Sequence, residues 1–184
     1  MDKIKILGIA GSLREASFNK GLLRAAVELK PENMEIEIFD IKDIPAYNSD
    51  LEPDNVPAPV QELKKKISQA AGLLIATPEY NYSIPGVLKN AIDWASRPPA
   101  TTPLNNKPLA LMGVSGGTSG TVRSQMHLRH VAVFTNMLTM NRPEILVQKG
   151  PEKFDEQGNL KDENTREHVR KFLEAFAAWI ERVH

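Results

Sequence analysis

Three polar segments of the sequence carry the side chains whose types and spacing suit the binding of a small molecule. They read GSLREASFN at 11–19, TPEYNYSIPG at 77–86 and SGGTSG at 115–120. Each follows a run of apolar residues and precedes a pattern typical of a helix, so each is expected to connect a strand to a helix. Loops of this kind are where many α/β proteins bind their ligands.

The first segment has the composition of an anion site. Ser12, Ser17 and Asn19 offer short polar donors and Arg14 offers a cation, beside a predicted helix N-terminus that itself favours negative charge. A G-x-G-x-x-G fingerprint and a Walker lysine are both absent, so a terminal phosphate with about two negative charges is the better match. The alternative is that Ser17 or Asn19 only caps the helix and Arg14 is solvated.

The second segment places a proline, a carboxylate and aromatic rings before a helix that should begin near Pro85. The residues are Pro78, Glu79, Tyr80, Asn81 and Tyr82. A rigid loop of this composition can form a wall for a flat heterocycle, and its backbone amides can bind the edge of the ring. Alternatively, the tyrosines are ordinary half-buried anchors.

The third segment is rich in glycine, which lets a backbone come close to a ligand. Ser115, Gly116 and Gly117 follow an apolar run directly, and their amides could bind the polar end of the same ring. A plain strand-to-helix turn would have the same composition. The position of this segment beside the other two favours the binding role.

The elements that would position these segments are visible as five apolar, β-rich runs alternating with helical patterns. The runs are 4–9, 35–39, 72–77, 109–114 and 144–147. The alternation predicts βαβ units and a parallel sheet, and the uninterrupted third and fourth runs are typical of central strands with helices on both faces. A helix over 163–183 should close one flank, while 44–59 and 148–164 are expected to be solvated surface connections.

Bulk composition limits the partners. The 184 residues, 41% of them hydrophobic, can bury one core, so a single domain over 1–184 is expected. The 23 basic and 23 acidic residues cancel, which argues against nucleic-acid and membrane partners and favours small molecules. Cysteine is absent, and His127 and His130 lack partners at a metal-like spacing, so no metal site is expected. The short N-terminal apolar stretch resembles no signal peptide, and a cytoplasmic location is expected.

The segments GSLREASFN, PEYNYSIPGVLKNAIDW and SGGTSGTVRSQMHLRHV together resemble the NADPH-dependent FMN reductase family of flavodoxin-like proteins, over roughly 4–145. The resemblance implies a doubly wound, five-stranded parallel sheet of order 2-1-3-4-5 with helices on both faces. It also implies three sets of FMN contacts. These are Ser12, Arg14, Ser17 and Asn19 for the phosphate, Pro78, Glu79, Tyr80 and Asn81 along the isoalloxazine, and Ser115, Gly116 and Gly117 near the pyrimidine side.

The activity implied by the resemblance leaves the chemistry to FMN, with no catalytic side chain. NADPH or NADH would pass a hydride to the flavin, and a quinone or another small acceptor, such as chromate, an azo compound or free flavin, would then collect it by a ping-pong mechanism. The alternative is a one-electron carrier like flavodoxin, although such carriers are typically strongly acidic and this chain is neutral. A homodimer or homotetramer is expected, with Trp94 as an exposed subunit contact beside a proline-rich segment.

Overall fold

The computed structural model describes residues 3–52 and 54–183, which form an alternating series of strands and helices. The strands are β1 (Ile4–Ala10), β2 (Met34–Phe39), β3 (Gly72–Ala76), β4 (Pro108–Val114), β5 (Leu138–Thr139) and β6 (Ile145–Val147). The α-helices are α1 (Phe18–Leu29), α2 (Ala58–Gln69), α3 (Gly86–Ala95), α4 (Val122–Phe134), α5 (Gly150–Lys153) and α6 (Glu163–Val183). Short 3₁₀ turns occur at Ser49–Leu51 and Pro99–Thr101.

All pairings between these strands are parallel, in the order β2-β1-β3-β4-β5. The order that the resemblance implied is therefore confirmed. Because parallel strands end at the same edge, the loops after β1, β3 and β4 lie side by side. These loops contain the three segments singled out in the sequence.

The sheet contains one strand more than the five predicted, because the edge beyond β4 is built from two short pieces. The predicted run at 144–147 corresponds to β6, which pairs with Met112–Val114. The additional strand β5 pairs with Pro108 and Leu109 at the start of β4. Two residues are too few to show a strand period, so β5 left no signal in the sequence.

Helices cover both faces of the sheet. The strands β1, β3 and β4 are almost wholly buried, and two separate apolar clusters lie on their two sides. α1 and α6 pack on one side, with Phe172 and Phe176 of α6 buried in that cluster. α2 and α3 pack on the other side through Leu63 and Leu88, among others. Within the described ranges, no helix is both long and apolar enough to cross a membrane.

The segment 148–164 is not the solvated connection that its polar composition predicts. Phe154 and Leu160 form an isolated antiparallel bridge and are both buried against the α1/α6 cluster. The segment then ends in a helix cap, because Asp162 Oδ1 accepts a hydrogen bond of 2.9 Å from Thr165 N. Hydrogen bonds from Thr165, chiefly from its hydroxyl, lower the pKa of Asp162. Two isolated apolar residues have no period, so no local pattern indicates their burial.

The prediction of Trp94 as an exposed subunit contact is wrong. Its side chain is fully buried, its Nε1 donates a 2.9 Å hydrogen bond to Pro45 O, and the Tyr47 ring meets it edge-on at 5.0 Å. Trp94 thus anchors the connection between β2 and α2 to the end of α3. Its partners lie almost 50 positions away in sequence, where local patterns could not identify them.

Candidate cofactor-binding site

The first loop presents two buried hydroxyls at the start of α1. Ser12 and Ser17 are each only 3% exposed. Ser12 Oγ lies 3.4 Å from Tyr80 Oη, and Ser17, the N-cap residue of α1, accepts from Lys20 N at 3.5 Å. Both distances are long for hydrogen bonds, so both hydroxyls retain bonding capacity for a ligand at the helix N-terminus.

Arg14 lies on the exposed side of the same loop, with its guanidinium 5.4 Å from the centroid of the Phe18 ring. Within residues 3–52 and 54–183, no carboxylate forms an ion pair with Arg14, so its donors remain available to an anion. Lys20 adds a second cation that the sequence reasoning missed. Its Nζ donates to Leu13 O at 3.3 Å, which ties the loop to the first turn of α1.

Asn19 connects the first loop to the third. Its Nδ2 donates to Val114 O at 2.9 Å and its Oδ1 accepts from Val114 N at 3.0 Å. This paired bridge is buried and holds the start of α1 against the end of β4, directly before Ser115. The side chain of Asn19 therefore organises the loops, while its backbone lies in the first turn of the helix.

The second loop forms a tight hairpin. Tyr80 and Ser83 exchange both backbone hydrogen bonds, at 3.1 and 2.9 Å, and the two residues between them, Asn81 and Tyr82, have φ values of 51° and 64°. Two consecutive left-handed residues match a type I′ turn. Asparagine tolerates this conformation but tyrosine rarely adopts it, and backbone strain of this kind clusters at functional sites. The rings of Tyr80 and Tyr82 are exposed.

Glu79 precedes this hairpin and points away from it, towards α4. Its Oε2 accepts from Arg123 N at 3.0 Å, and its Oε1 accepts from Arg123 Nε at 2.7 Å, with a further ion pair to Arg123 Nη2. The Arg123 guanidinium also stacks on the Tyr82 ring, 3.8 Å from its centroid. Within the same chain, Glu144 lies near Arg129 and Arg142 rather than near Arg123.

The third loop is shaped by Ser115. Its Oγ donates to Gly117 O at 3.1 Å and accepts from Gly120 N at 3.0 Å, which folds the loop back on itself. Gly116 and Gly117 are exposed, and a Cβ atom added at either would meet no atom of the described chain within 4 Å. No residue in the described part of the chain requires glycine there, so the open space suits a ligand lying close to the backbone.

The loops also hold backbone donors for such a ligand. Among the residues that the structure describes, no acceptor is bonded to the N–H of Glu79, Asn81, Gly116 or Gly117. Together with the hydroxyls and cation of the first loop, these donors fit the phosphate and the polar ring edges of FMN. The second loop is joined to α4 below this surface, where Thr77 Oγ1 lies 3.0 Å from Ser124 Oγ.

A parallel sheet of this order, with three polar loops at its carboxyl edge and a hydroxyl-lined helix N-terminus, defines a flavodoxin-like protein. The chain matches the family model described as NADPH-dependent FMN reductase over residues 4–152. It belongs to the NADPH-dependent FMN reductase family and is an oxidoreductase that uses FMN and NAD(P)H. The expectations of family, enzyme class and cofactors are confirmed.

Individual relatives agree with this assignment. The chain is 47% identical to an NAD(P)H-dependent FMN reductase of Pseudomonas aeruginosa over 99% of its own length and 98% of the relative. It is 42% identical to a 2-hydroxy-1,4-benzoquinone reductase of a Burkholderia species, over 96% of each chain. The solved structure of the flavoenzyme NAD(P)H:(acceptor) oxidoreductase from Paracoccus denitrificans superposes with a TM-score of 0.88 at 36% identity, covering 97% of both chains.

Proposed function

We propose that the protein is an NAD(P)H:quinone oxidoreductase. The observation that carries the proposal is the open side of the site: the third loop offers only small residues, and positions 116 and 117 face free space. The chemistry that FMN supplies when bound is the transfer of two electrons from NAD(P)H to an acceptor. A flat quinone suits an open face beside the hairpin tyrosines, and the benzoquinone reductase among the relatives supports this choice.

In this proposal the side chains bind and orient, and none exchanges a proton or an electron. Ser12, Ser17 and Arg14 hold the phosphate at the N-terminus of α1. The hairpin that begins at Tyr80 lies along the ring, and the amides of the third loop bind its pyrimidine side. Amides aimed at the ring edge would stabilise negative charge as it develops. Because one open face must serve both NAD(P)H and the acceptor, the kinetics are ping-pong. Chromate, azo compounds and free flavin are further candidate acceptors.

The alternative, a one-electron carrier like flavodoxin, has less support. Such a carrier encloses the ring between aromatic side chains and surrounds it with negative charge. The second loop offers Tyr80 and Tyr82, but SGGTSG in the third loop has no aromatic residue to close the opposite face. The formal net charge of zero also supplies no excess of acidic groups.

A reductive titration with NADPH tests the proposal directly. We expect the bound flavin to bleach in one step that consumes one equivalent of NADPH, and a quinone to restore its colour. Steady-state double-reciprocal plots at several quinone concentrations should be parallel. Stepwise bleaching through a stable one-electron form, with negligible turnover of NADPH, would instead support the carrier.

Two wider expectations belong to the same proposal. The whole chain acts as a single domain, supported by one sheet whose two faces carry the two apolar clusters. A cytoplasmic location is part of the same proposal, because that compartment supplies NAD(P)H.

We also propose a homodimer or homotetramer that uses the outer face of α4. Val122, Met126 and Val133 lie on one side of this helix and are exposed, and Phe134 beside them is 88% exposed. A stripe of this kind at helical spacing is typical of an interface. It adjoins Arg123 and therefore the hairpin, so a subunit contact here would border the cofactor site.

Replacing both Met126 and Val133 with aspartate should dissociate the assembly, because two carboxylates would have to be buried unpaired at the interface. Multi-angle light scattering at micromolar concentration should give the monomer mass for this variant and at least the dimer mass for the wild type. The matched control is Ile38→Asp, at an exposed apolar residue of the edge strand β2, which should leave the mass unchanged. A wild-type monomer with full activity would refute the proposal.

A further inference from the structure

We propose that Glu79 is a positioning residue for the flavin ring: its carboxylate fastens the hairpin to α4, and the charge of Arg123 cancels its own. This inference rests on the proposed function, because it assumes that the hairpin lies along the ring. The side chain of Glu79 is only 5% exposed, and both of its oxygens accept hydrogen bonds from α4. Only its backbone remains to face a ligand.

The N-terminus of α4 lacks a capping side chain from its own segment, and Glu79 supplies one. Thr121, at the N-cap position, is left-handed with φ 66° and makes no side-chain cap, and the first turn contains no acidic residue. The unpaired amides at a helix N-terminus need acceptors and favour negative charge. Glu79 Oε2 accepts from Arg123 N at 3.0 Å and from Ser124 N at 3.4 Å, so the cap of α4 comes from a loop 44 positions earlier in the chain.

Two further contacts attach the hairpin to the N-terminal part of α4. The Arg123 guanidinium lies over the Tyr82 ring, which braces one of the two strained residues at the hairpin tip. Ser83 Oγ lies 2.9 Å from His127 Nδ1, one turn further along the helix. Three contacts within the first two turns of α4 therefore hold a hairpin whose tyrosines are exposed to solvent.

The arrangement also controls charge beside the ring. Reduction adds negative charge to the flavin, so a free carboxylate nearby would oppose it and a free guanidinium would favour it. With Glu79 and Arg123 in direct contact, the two charges cancel and neither acts alone. Removing either charge should therefore shift the reduction potential of bound FMN, and the two shifts should have opposite signs.

The experiment compares Glu79→Gln, Arg123→Gln and the double variant. Each is measured as FMN-loaded protein by equilibration with a redox dye, without NAD(P)H or quinone, so the result does not depend on the proposed catalytic activity. We expect a higher potential for Glu79→Gln, a lower one for Arg123→Gln, and a value near that of the wild type for the double variant. Matched controls are Glu28→Gln and Arg166→Gln, from an ion pair of 3.2 Å between α1 and α6, which should leave the potential unchanged.

The outcomes separate the inference from its alternatives. Shifts of the same sign in both single variants would indicate a structural disturbance and overturn the charge pairing. Unchanged potentials would show that the pair is remote from the ring. If Glu79→Gln fails to fold, Arg123→Gln alone must still lower the potential, and its failure to do so would overturn the inference. NADPH turnover that is negligible in the wild type would contradict the proposed function but not the pairing.

Discussion

Replacing Arg14 with alanine is expected to weaken FMN binding by roughly 10- to 150-fold and to leave riboflavin binding almost unchanged. Arg14 is exposed and has no carboxylate partner in the described chain, and it flanks buried hydroxyls at the N-terminus of α1. A hydrogen bond to a charged group contributes about 1.5–3 kcal/mol, which corresponds to the expected factor. Riboflavin lacks the phosphate and loses nothing. Quenching of flavin fluorescence by the apoprotein measures both affinities.

Two further variants sharpen this test. Arg14→Lys keeps the charge but loses the planar fork of donors, so it should recover only part of the FMN affinity. Arg182→Ala is the matched control, since Arg182 is likewise exposed and lies over an aromatic ring, that of Trp179 at 6.0 Å. It should bind FMN as the wild type does. If Arg14→Ala weakens FMN and riboflavin equally, Arg14 does not contact the phosphate.

Much of the fold could be predicted because its signals are local. The uninterrupted apolar runs of β3 and β4 identify buried parallel strands, and the apolar period over 163–183 matches α6 residue for residue. Buried parallel strands, in turn, determine which loops meet at one edge. The sequence therefore identified the three loops of the candidate site without any knowledge of contacts.

The failed predictions depend on partners that lie far away in the chain. The indole of Trp94 is buried because Pro45 O accepts its hydrogen, and no local pattern relates these positions. Phe154 belongs to the core although its neighbours are polar and charged, because it packs against Phe18 at 5.1 Å. In both cases the side chain is buried because the fold brings residues distant in sequence into contact with it.

Partners that are distant in sequence also determine the roles of side chains within the candidate site. The composition of the first loop pointed to polar donors, but the bridge from Asn19 to Val114 spans 95 positions. The resemblance placed Glu79 along the isoalloxazine, and its carboxylate accepts hydrogen bonds from Arg123 on α4, 44 positions later. Residue types identified the loops, and only the three-dimensional arrangement separates the side chains that face outward from those that hold the loops together.

Gly117→Leu is expected to abolish flavin binding while leaving the apoprotein as stable as the wild type. A Cβ atom at this position would meet no protein atom within 4 Å, and the backbone conformation is not one that requires glycine. Thermal unfolding of the apoprotein should therefore show no loss of stability, and the gain from replacing glycine in a compatible conformation is only about 0.4–1 kcal/mol. The isobutyl group would instead occupy the space where the ring must approach the loop.

Because the obstruction is at the ring rather than at the phosphate, Gly117→Leu should weaken FMN and riboflavin to the same extent, in contrast to Arg14→Ala. Gly117→Ala should give a smaller loss of both affinities, since a single methyl group fills less of the space. Asn33→Leu is the matched control, at an exposed residue directly before β2 and so at the edge of the sheet opposite the three loops, and it should retain both ligands. Wild-type affinity in Gly117→Leu would mean that SGGTSG is only a turn between β4 and α4 and that the ring lies elsewhere.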